Sequence, residues 1–414
     1  MSIGGAMNRY RLRDFNRNVR SFLYYGVLIN AGMALFTLLY NLYLLRLSFQ
    51  EDFIGQVASM APLATAILAL PTGILSDRIG RRPFLIASGV LLAGSQLGLV
   101  LAESPTALLA LSFVGGMGSA FIWVNHVAFL SDNAHPSRRA EALVIWTALQ
   151  VVIRMLLSLG GGFMPGIMGY FFGMSTEMPE TFRYVLFLGA VCSLAAVFPL
   201  LRISRAEAGD RQATGSEGEV SAEDDGHQPW RMFTAIAVLS GTRGFAVGLT
   251  FPFFNVFFEE ELLLSPVAIG ATFFLSQLVS LPATFSAPAL VRRFGVIMTV
   301  LPVRAISGGA LGIMGAFINL PIAVTMFLLV RVGEVIDNPT DQHFTTQILP
   351  RRFWARIQGF RVAGFQLMAF VGSLFGGTLI VDYGYAVAFG LACVSRVLSG
   401  LILGLVFGLR RGDG

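Results

Sequence analysis

Apolar segments of about twenty residues follow one another along most of the sequence, and this pattern leaves few possible folds. Only 13% of the residues are charged and the mean hydropathy is +0.71, whereas about 25% of the residues of a soluble domain are charged. A helix needs roughly 20 apolar residues to cross the hydrocarbon core of a membrane. The sequence therefore predicts an all-α membrane protein with twelve transmembrane helices. The predicted spans lie near residues 21–46, 53–75, 83–102, 106–131, 141–163, 183–201, 231–258, 266–290, 296–316, 320–348, 353–380 and 385–408.

The distribution of arginine indicates how these spans are oriented. The sequence contains no lysine, so all 29 basic residues are arginines. With the N-terminus in the cytoplasm, 21 of them fall in cytoplasmic segments, two in outer loops and six within spans. Basic loops stay on the cytoplasmic side of a membrane. We therefore expect a multi-pass protein of the plasma (inner) membrane with both termini in the cytoplasm.

The second half of the sequence resembles the first. At an offset of 214 to 215 residues, Asn41 aligns with Asn255, Gly55 with Gly270, and Arg78 with Arg293. Internal symmetry of this kind is common in transporters. Residues 203–230 are polar and acidic and cannot bury enough apolar surface to order themselves. The sequence predicts two pseudo-symmetric six-helix bundles, residues 1–202 and 231–414, joined by a cytoplasmic linker at 203–230.

Several classes of protein are excluded by residue types that the sequence lacks or disperses. Without lysine, the chain can form neither a P-loop nor a Schiff base with a cofactor. Its two cysteines lie inside apolar runs, and no metal-ligand spacing or nucleophile motif is visible. The arginines are spread rather than clustered on one face, which argues against nucleic-acid binding. We expect no enzyme activity, no cofactor and no metal.

The loop after the second predicted span carries the most specific motif, Gly-Ile-Leu-Ser-Asp-Arg-Ile-Gly-Arg-Arg. It resembles the G-x-x-x-D-R-x-G-R-R signature of the major facilitator superfamily (MFS). The resemblance covers essentially the whole chain, because the helix number, the duplication and the central linker agree with it. It implies two bundles that rock around a central cavity. The motif residues are Gly73, Asp77, Arg78, Gly80, Arg81 and Arg82.

In such a protein the motif implies a gate at the cytoplasmic mouth. Gly73 would permit close helix approach, and Gly80 would allow a tight turn. Asp77 would belong to a latch between the halves, and Arg81 and Arg82 would anchor the loop at anionic headgroups. The second copy has Arg292 in place of the acid, which leaves the latch asymmetric.

The chain departs from the signatures of the family's drug/proton antiporters at two places. Ser112 stands where their fourth span carries an arginine, and their fifth-span motif G-P-x-x-G-G is not matched. These departures weaken a drug-antiporter interpretation without removing it.

The tenth span concentrates the acids that lie within the membrane. Arg331, Glu334, Asn338 and Asp341 share one helical face, and Asp337 lies beside it. Such a stripe is too costly to face lipid, so it should line the cavity or another helix. One acid could carry protons. Alternatively, Arg331 neutralises Glu334, and the other acids pair with Arg361 or with an inner loop.

Five more arginines fall within other spans, and they raise the same question of pairing. Arg154 and Arg243 have no acid within one helical turn. Each should bind either a span-ten acid or the carboxylate or phosphate of a substrate. Arg304 and Arg396 are expected to be peripheral supports. Candidates for substrate or coupling contact are thus Asn30, Asn41, His126, Arg154, Arg243, Asn255, Glu334, Asp337, Asn338, Asp341 and Arg361.

The sequence as a whole predicts a secondary active transporter that moves a small organic molecule by alternating access. Proton-coupled efflux of amphiphilic compounds is the leading interpretation, because the expected cavity has many apolar walls and few charges. Uptake or facilitated transport of an organic anion is the alternative. A non-transporting receptor on the same scaffold is the alternative of another class. The expected partners are a small-molecule substrate, protons and membrane lipids, and the chain is expected to be a monomer.

Overall fold

A computed structural model of the protein describes residues 15–204, 230–348 and 354–408. The side chains of residues 231, 339, 341–348, 354–356 and 406–408 lie outside that description. Most of the predicted linker, residues 205–229, is also outside it, as are both chain ends and the side chain of Asp341.

The described residues form twelve long helices and no strand, which confirms the all-α fold. Short helices Val197–Leu201 and Phe254–Glu260 continue α6 and α7, the latter after a 3₁₀ turn at Phe251–Phe253, and a 3₁₀ turn Pro136–Arg138 precedes α5. The long helices are α1 Arg17–Arg46, α2 Glu51–Ile79, α3 Arg81–Leu101, α4 Pro105–Asn133, α5 Arg139–Phe172, α6 Pro179–Ala195, α7 Trp230–Thr250, α8 Pro266–Phe294, α9 Val296–Ala316, α10 Leu320–Ile348, α11 Trp354–Tyr383 and α12 Tyr385–Gly408.

Eleven of these helices, within the described ranges, are long and apolar enough to cross a membrane. The exception is α10, because Arg331, Glu334 and Asp337 interrupt its apolar part. A helix with three charges must bury them against other helices. α10 is therefore the helix that most needs partners inside the protein.

Helix pairing divides the molecule into two bundles of six. In the first, α1 packs against α5 and α6, α2 against α4, and α3 against α4 and α6. The same pairs recur six helices later: α7 with α11 and α12, α8 with α10, and α9 with α10 and α12. The bundles meet mainly where α2 packs on α11 and α5 packs on α8. The pairing confirms the pseudo-symmetric architecture, while the domain limits at residues 202 and 231 stay a prediction.

The two ends of the bundles differ in charge, and we name them from their connections. The basic end holds the α2–α3 turn at Gly80, residues 134–138 before α5, and the α8–α9 turn at Gly295. The acidic end holds residues 47–50, 102–104, 173–178, 261–265 and 317–319 and Gly384. Gly80 and Gly295 both have positive φ, 98° and 81°, a conformation that side chains with a Cβ rarely adopt. The same turn thus recurs in both halves.

Candidate functional site

Two asparagines join the bundles near the acidic end, and their hydrogen bonds are reciprocal. Asn41 on α1 donates from Nδ2 to the carbonyl oxygen of Pro252, at 2.6 Å. Asn255, just after α7, donates from Nδ2 to the carbonyl oxygen of Leu38, at 2.9 Å. The two donors, Asn41 and Asn255, are 214 residues apart, and so are the two acceptors, Leu38 and Pro252. This spacing is the offset of the internal repeat. The bundles are therefore tied together by two hydrogen bonds related by the pseudo-two-fold axis.

Glycines provide a second pair of symmetric contacts at the same end. A Cβ on Gly162 of α5 would lie 2.6 Å from the carbonyl oxygen of Pro266 at the start of α8. Gly55 of α2 comes equally close to α11, and any Cβ there would overlap the backbone. Small residues of this kind allow helix backbones to meet. Gly55 meets Ser373 and Gly377 of α11, and Gly270 of α8 meets Ser158 and Gly162 of α5. Each residue of one crossing lies 215 positions from its counterpart in the other.

Polar side chains complete the closure of the acidic end. Arg46, the last residue of α1, forms an ion pair with Glu259 after α7. The hydroxyl of Tyr385 at the start of α12 donates to Glu51 Oε1 at 3.0 Å. Each contact joins one bundle to the other, so the acidic end is the closed end of the molecule.

A cavity of about 340 Å³ lies between the bundles, directly beside the reciprocal asparagines. Its walls come from α1, α2, α7, α8 and α11 and are largely apolar and aromatic. Asn41 and Asn255 reach it, but their amide N–H groups are already used in the bonds between bundles. Other lining residues are Phe36, Thr37, Ala58, Pro62, Val247, Gly248, Phe251, Pro252, Phe273, Phe365, Gln366, Ala369 and Ser373.

The acids of α10 pair with arginines from three other helices, and Asp337 is the most buried of them at 1% exposure. Asp337 Oδ1 accepts from Arg304 Nε at 3.0 Å and lies 2.9 Å from Arg304 Nη2. Its Oδ2 lies 3.7 Å from Arg243 Nε. Arg304 also donates from Nη1 to Ser399 Oγ at 2.9 Å. One carboxylate of α10 thus connects directly to α7 and α9, and through Arg304 to α12.

Glu334 lies one turn earlier on α10 and has its own two arginines. Its Oε2 is 2.6 Å from Arg331 Nη1, and its Oε1 is 3.5 Å from Arg396 Nη1. The Glu334 side chain is 14% exposed, so it is less enclosed than that of Asp337. The guanidinium of Arg331 stands 5.5 Å from the centre of the Phe251 ring, which lines the cavity. Glu334 is therefore a more exposed acid than Asp337, and its partner Arg331 contacts the cavity wall.

Arg243 connects the other side of the network to the same cavity. Its guanidinium lies 5.1 Å from the centre of the Phe365 ring, another cavity wall. It also donates to Asn338 Oδ1. Arg243 therefore has an acid partner from α10, which is one of the two outcomes that the sequence left open.

Arg154 differs from the other arginines within the spans. Within the described part of the chain, its hydrogen bond is to a backbone carbonyl of its own helix, from Nε to Gln150 O at 3.2 Å. Its charged neighbour is Arg331 on the opposite bundle, and like charges repel. The side chain is partly buried. Arg154 and Arg331 thus place positive charge on both sides of the interface between the bundles.

The structure keeps the remaining predicted polar residues within their own bundles. Asn30 donates to the carbonyl of Gly26, one turn earlier. His126 Nδ1 lies 3.0 Å from Trp123 O, and its ring packs near Trp146. Arg361 Nε donates to Gln358 Oε1 at 2.8 Å. These contacts do not bring the three side chains to the central cavity.

The motif residues lie at the basic end, and their described contacts stay within the first bundle. Arg81 is 3.3 Å from Asp77 and also pairs with Asp132 at the end of α4. The Asp77 side chain is 69% exposed, and Arg78 is exposed as well. Arg82 Nη2 donates to the carbonyl of Leu201 at 3.4 Å. The motif therefore holds α2, α3, α4 and the end of α6 together.

Gly73 makes no close helix approach in this conformation, so its expected role at the gate stays a prediction. A Cβ at that position would make only an ordinary contact with Val124, at 3.8 Å. The close approaches of backbone to backbone between the two bundles lie instead toward the acidic end, at Gly55, Gly162, Gly270 and Gly377.

Sequence reasoning also misplaced Arg304 and Arg396, which it expected to be peripheral. Both are 1% exposed and belong to the α10 network. Asp132 was missed too, because its place one residue before the end of α4 does not indicate that Arg81 is its partner.

Two six-helix bundles around a cavity that is closed at one end define a class of membrane transporter. The sequence profile described as Major Facilitator Superfamily matches residues 22–336, and the chain belongs to that family. Members of this family are transporters of small molecules rather than enzymes. The chain accordingly belongs to a family of multi-pass membrane transporters.

Individual relatives are distant. An uncharacterized MFS-type transporter of Methanocaldococcus jannaschii is 28% identical over 203 residues, which are 46% of this chain and 48% of that protein. The multidrug resistance protein MdtL of Vibrio parahaemolyticus is 23% identical over 155 residues, 37% of each chain. The chain thus matches about half or less of the length of these relatives. A solved D-xylose–proton symporter superposes with a TM-score of 0.72 at 15% identity, over 94% of this chain and 96% of that one.

Proposed function

We propose that this transporter exports amphiphilic small molecules and uses the proton gradient to do so. The observation that carries the proposal is the central cavity, whose four phenylalanine rings give it aromatic walls with few polar groups. Its 340 Å³ falls in the range of small-molecule sites, about 300–1,000 Å³. The partial similarity to a multidrug resistance protein supports the same direction of transport.

Glu334 is the proposed site of proton coupling. A coupling acid must be reachable from the cavity and must be able to change partners. The Glu334 side chain is 14% exposed, and its partner Arg331 packs on the Phe251 ring of the cavity wall. Asp337 is enclosed between Arg304 and Arg243, so we assign it a structural role as their counter-ion.

Uptake or facilitated transport of an organic anion is the second candidate, and Arg154 is the observation that favours it. Arg154 has no carboxylate partner among the described residues, and its charged neighbour in the other bundle is Arg331, which pairs with Glu334 of its own helix. A substrate carboxylate or phosphate would bridge them and remove their repulsion. Transport of an organic anion would require Arg154, whereas export of an amphiphilic molecule would not.

The motif at the basic end is proposed to be the latch of the opposite conformation. Because the acidic end is closed here, a latch at the basic end should be disengaged. An exposed Asp77 and Arg78 with no described partner in the second bundle agree with that state. We further propose that the protein acts as a monomer in the inner membrane, with its basic end and both termini in the cytoplasm, as the arginine distribution favours.

Flux measurements in reconstituted vesicles test the proposed function. With an imposed pH gradient, the protein should move an amphiphilic cationic dye at least about tenfold faster than vesicles without protein. Arg154→Gln should leave this flux within about twofold of the unaltered protein, because the variant removes no cavity wall. If the unaltered protein moves an aromatic carboxylate but no dye, and Arg154→Gln abolishes that movement, the anion candidate replaces the proposal.

Removing the reciprocal asparagine bonds should favour opening of the acidic end. One hydrogen bond contributes about 1 kcal/mol, so Asn41→Ala should shift the closed-to-open ratio by about fivefold and Asn41→Ala/Asn255→Ala by more. The measurement is the labelling rate of a cysteine placed at Gln366 in the cavity, using a membrane-impermeant maleimide in a background without Cys192 and Cys393. Asn30→Ala is the matched control, because Asn30 bonds only within α1. Equal labelling rates in Asn30→Ala and the double variant would contradict this role.

A further inference from the structure

A second cavity, of about 490 Å³, opens at the basic end between the start of α1 and the residues that follow α6. We propose that this groove binds the phosphate headgroup of an anionic phospholipid. It is separate from the central cavity and is lined by Arg17, Arg20, Ser21, Tyr24, Leu28, Pro199 and Arg202.

Three arginines line the mouth of the groove. Arg17 and Arg20 lie one turn apart on α1, and Arg202 faces them from the segment after α6. Among the described residues, no carboxylate pairs with any of the three. Guanidinium groups bind phosphate by paired, charge-assisted hydrogen bonds. The mouth therefore has the chemistry of a phosphate site.

The polarity of the groove changes along α1 in the order that a phospholipid requires. Arg17, Arg20, Tyr24 and Leu28 follow at intervals of three or four residues, so they share one helix face. Going from the basic end into the membrane, the lining changes from guanidinium groups to a tyrosine and then to an aliphatic side chain. Tyrosine is enriched at the level of lipid headgroups. Phosphate at the mouth would therefore leave an acyl chain beside Leu28.

Exposed apolar side chains occur at the groove and next in sequence to its lining residues Pro199 and Arg202. Tyr24 is 57% exposed, and Phe198 and Leu201 beside the α6 end are 66% and 53% exposed. A soluble phosphate ester would use only the arginines, whereas a lipid also covers these side chains. The arginines at the mouth and these apolar side chains together favour the lipid.

The groove also connects to the motif of the basic end. Arg82 donates to the carbonyl of Leu201, the residue before Arg202. Ser204 donates from its backbone N to Asn18 Oδ1 at 3.1 Å, which holds the segment after α6 against α1. These contacts with α1 and with the motif therefore fix the position of Arg202 relative to Arg17.

Lipid binding to the purified full chain tests the proposal. Native mass spectrometry over a titration should show phosphatidylglycerol binding at least about tenfold tighter than phosphatidylcholine, whose choline adds a positive charge. Arg17→Gln/Arg20→Gln should reduce the phosphatidylglycerol affinity about tenfold or more, because the variant removes two of the three guanidinium groups that could bind the phosphate. Arg292→Gln/Arg293→Gln removes the same charge from the same end and should leave the affinity unchanged.

A single variant and a competition assay separate a specific lipid site from the alternatives. Arg202→Gln alters an exposed residue outside the long helices, so it should fold normally and still lower the affinity several-fold. Glycerol phosphate should fail to compete at concentrations near the affinity for the lipid. Equal losses of phosphatidylglycerol affinity in the two double variants would overturn the proposal, because they would indicate binding to a diffuse surface charge. Effective competition by glycerol phosphate would also overturn it, because it would indicate a site for a soluble phosphate ester.

Discussion

Asp337→Asn is expected to lower the free energy of unfolding by about 3–5 kcal/mol, the cost of leaving buried charges without their partner. Asp337 is 1% exposed and is the counter-ion of Arg304 and Arg243, which are themselves buried. Asparagine keeps the shape but removes the charge, so two guanidinium groups would remain in an apolar environment. We expect a clear loss of thermal stability and of the yield of folded protein.

The stability experiment compares melting temperatures in one detergent. Asp77→Asn is the control, because its side chain is 69% exposed and exposed ion pairs contribute at most about 1 kcal/mol. Asp337→Asn/Arg304→Met should regain part of the lost stability, since it removes one of the stranded charges. Similar melting temperatures for Asp337→Asn and Asp77→Asn would show that the Asp337 cluster is not a structural unit.

Glu334→Gln should abolish transport driven by a pH gradient while the protein stays folded. Glutamine keeps an acceptor for Arg331 and Arg396 but cannot exchange a proton. We expect at least a tenfold loss of gradient-driven flux in vesicles, with exchange of labelled for unlabelled substrate retained at zero gradient. Exchange needs the rocking motion but no proton movement, so it separates lost coupling from lost folding.

Glu180→Gln provides the matched control for the coupling experiment. Glu180 is an exposed acid at the acidic end, at the start of α6. Its neutralisation should change neither flux nor exchange. Gradient-driven flux that survives in Glu334→Gln would remove Glu334 from the coupling mechanism.

The helices could be predicted from the sequence because each depends on a local property. Apolar length predicts a span, and the predicted limits agree with the observed helices to within a few residues in most cases, for example 296–316 and Val296–Ala316. Helical spacing also predicts that Arg331 lies beside Glu334. Such properties do not depend on which helices become neighbours.

The site could be predicted only where it depends on a single helix. Arg304 and Asp337 are on different helices, and no periodicity within either one shows that α9 packs on α10. The repeat aligned Asn41 with Asn255, but it did not show that each would bond to the backbone beside the other. Contacts between elements depend on the tertiary fold, which local patterns do not contain.

The paired contacts at the acidic end have a consequence for the dynamics of the protein. The bonds of Asn41 and Asn255 are related by the pseudo-two-fold axis, as are the glycine crossings at Gly55 and Gly270. Rocking of one bundle against the other about an axis perpendicular to that two-fold axis stretches both members of each pair by the same amount at the same time. Opening should therefore be cooperative, with few molecules in half-open states through which ions could leak.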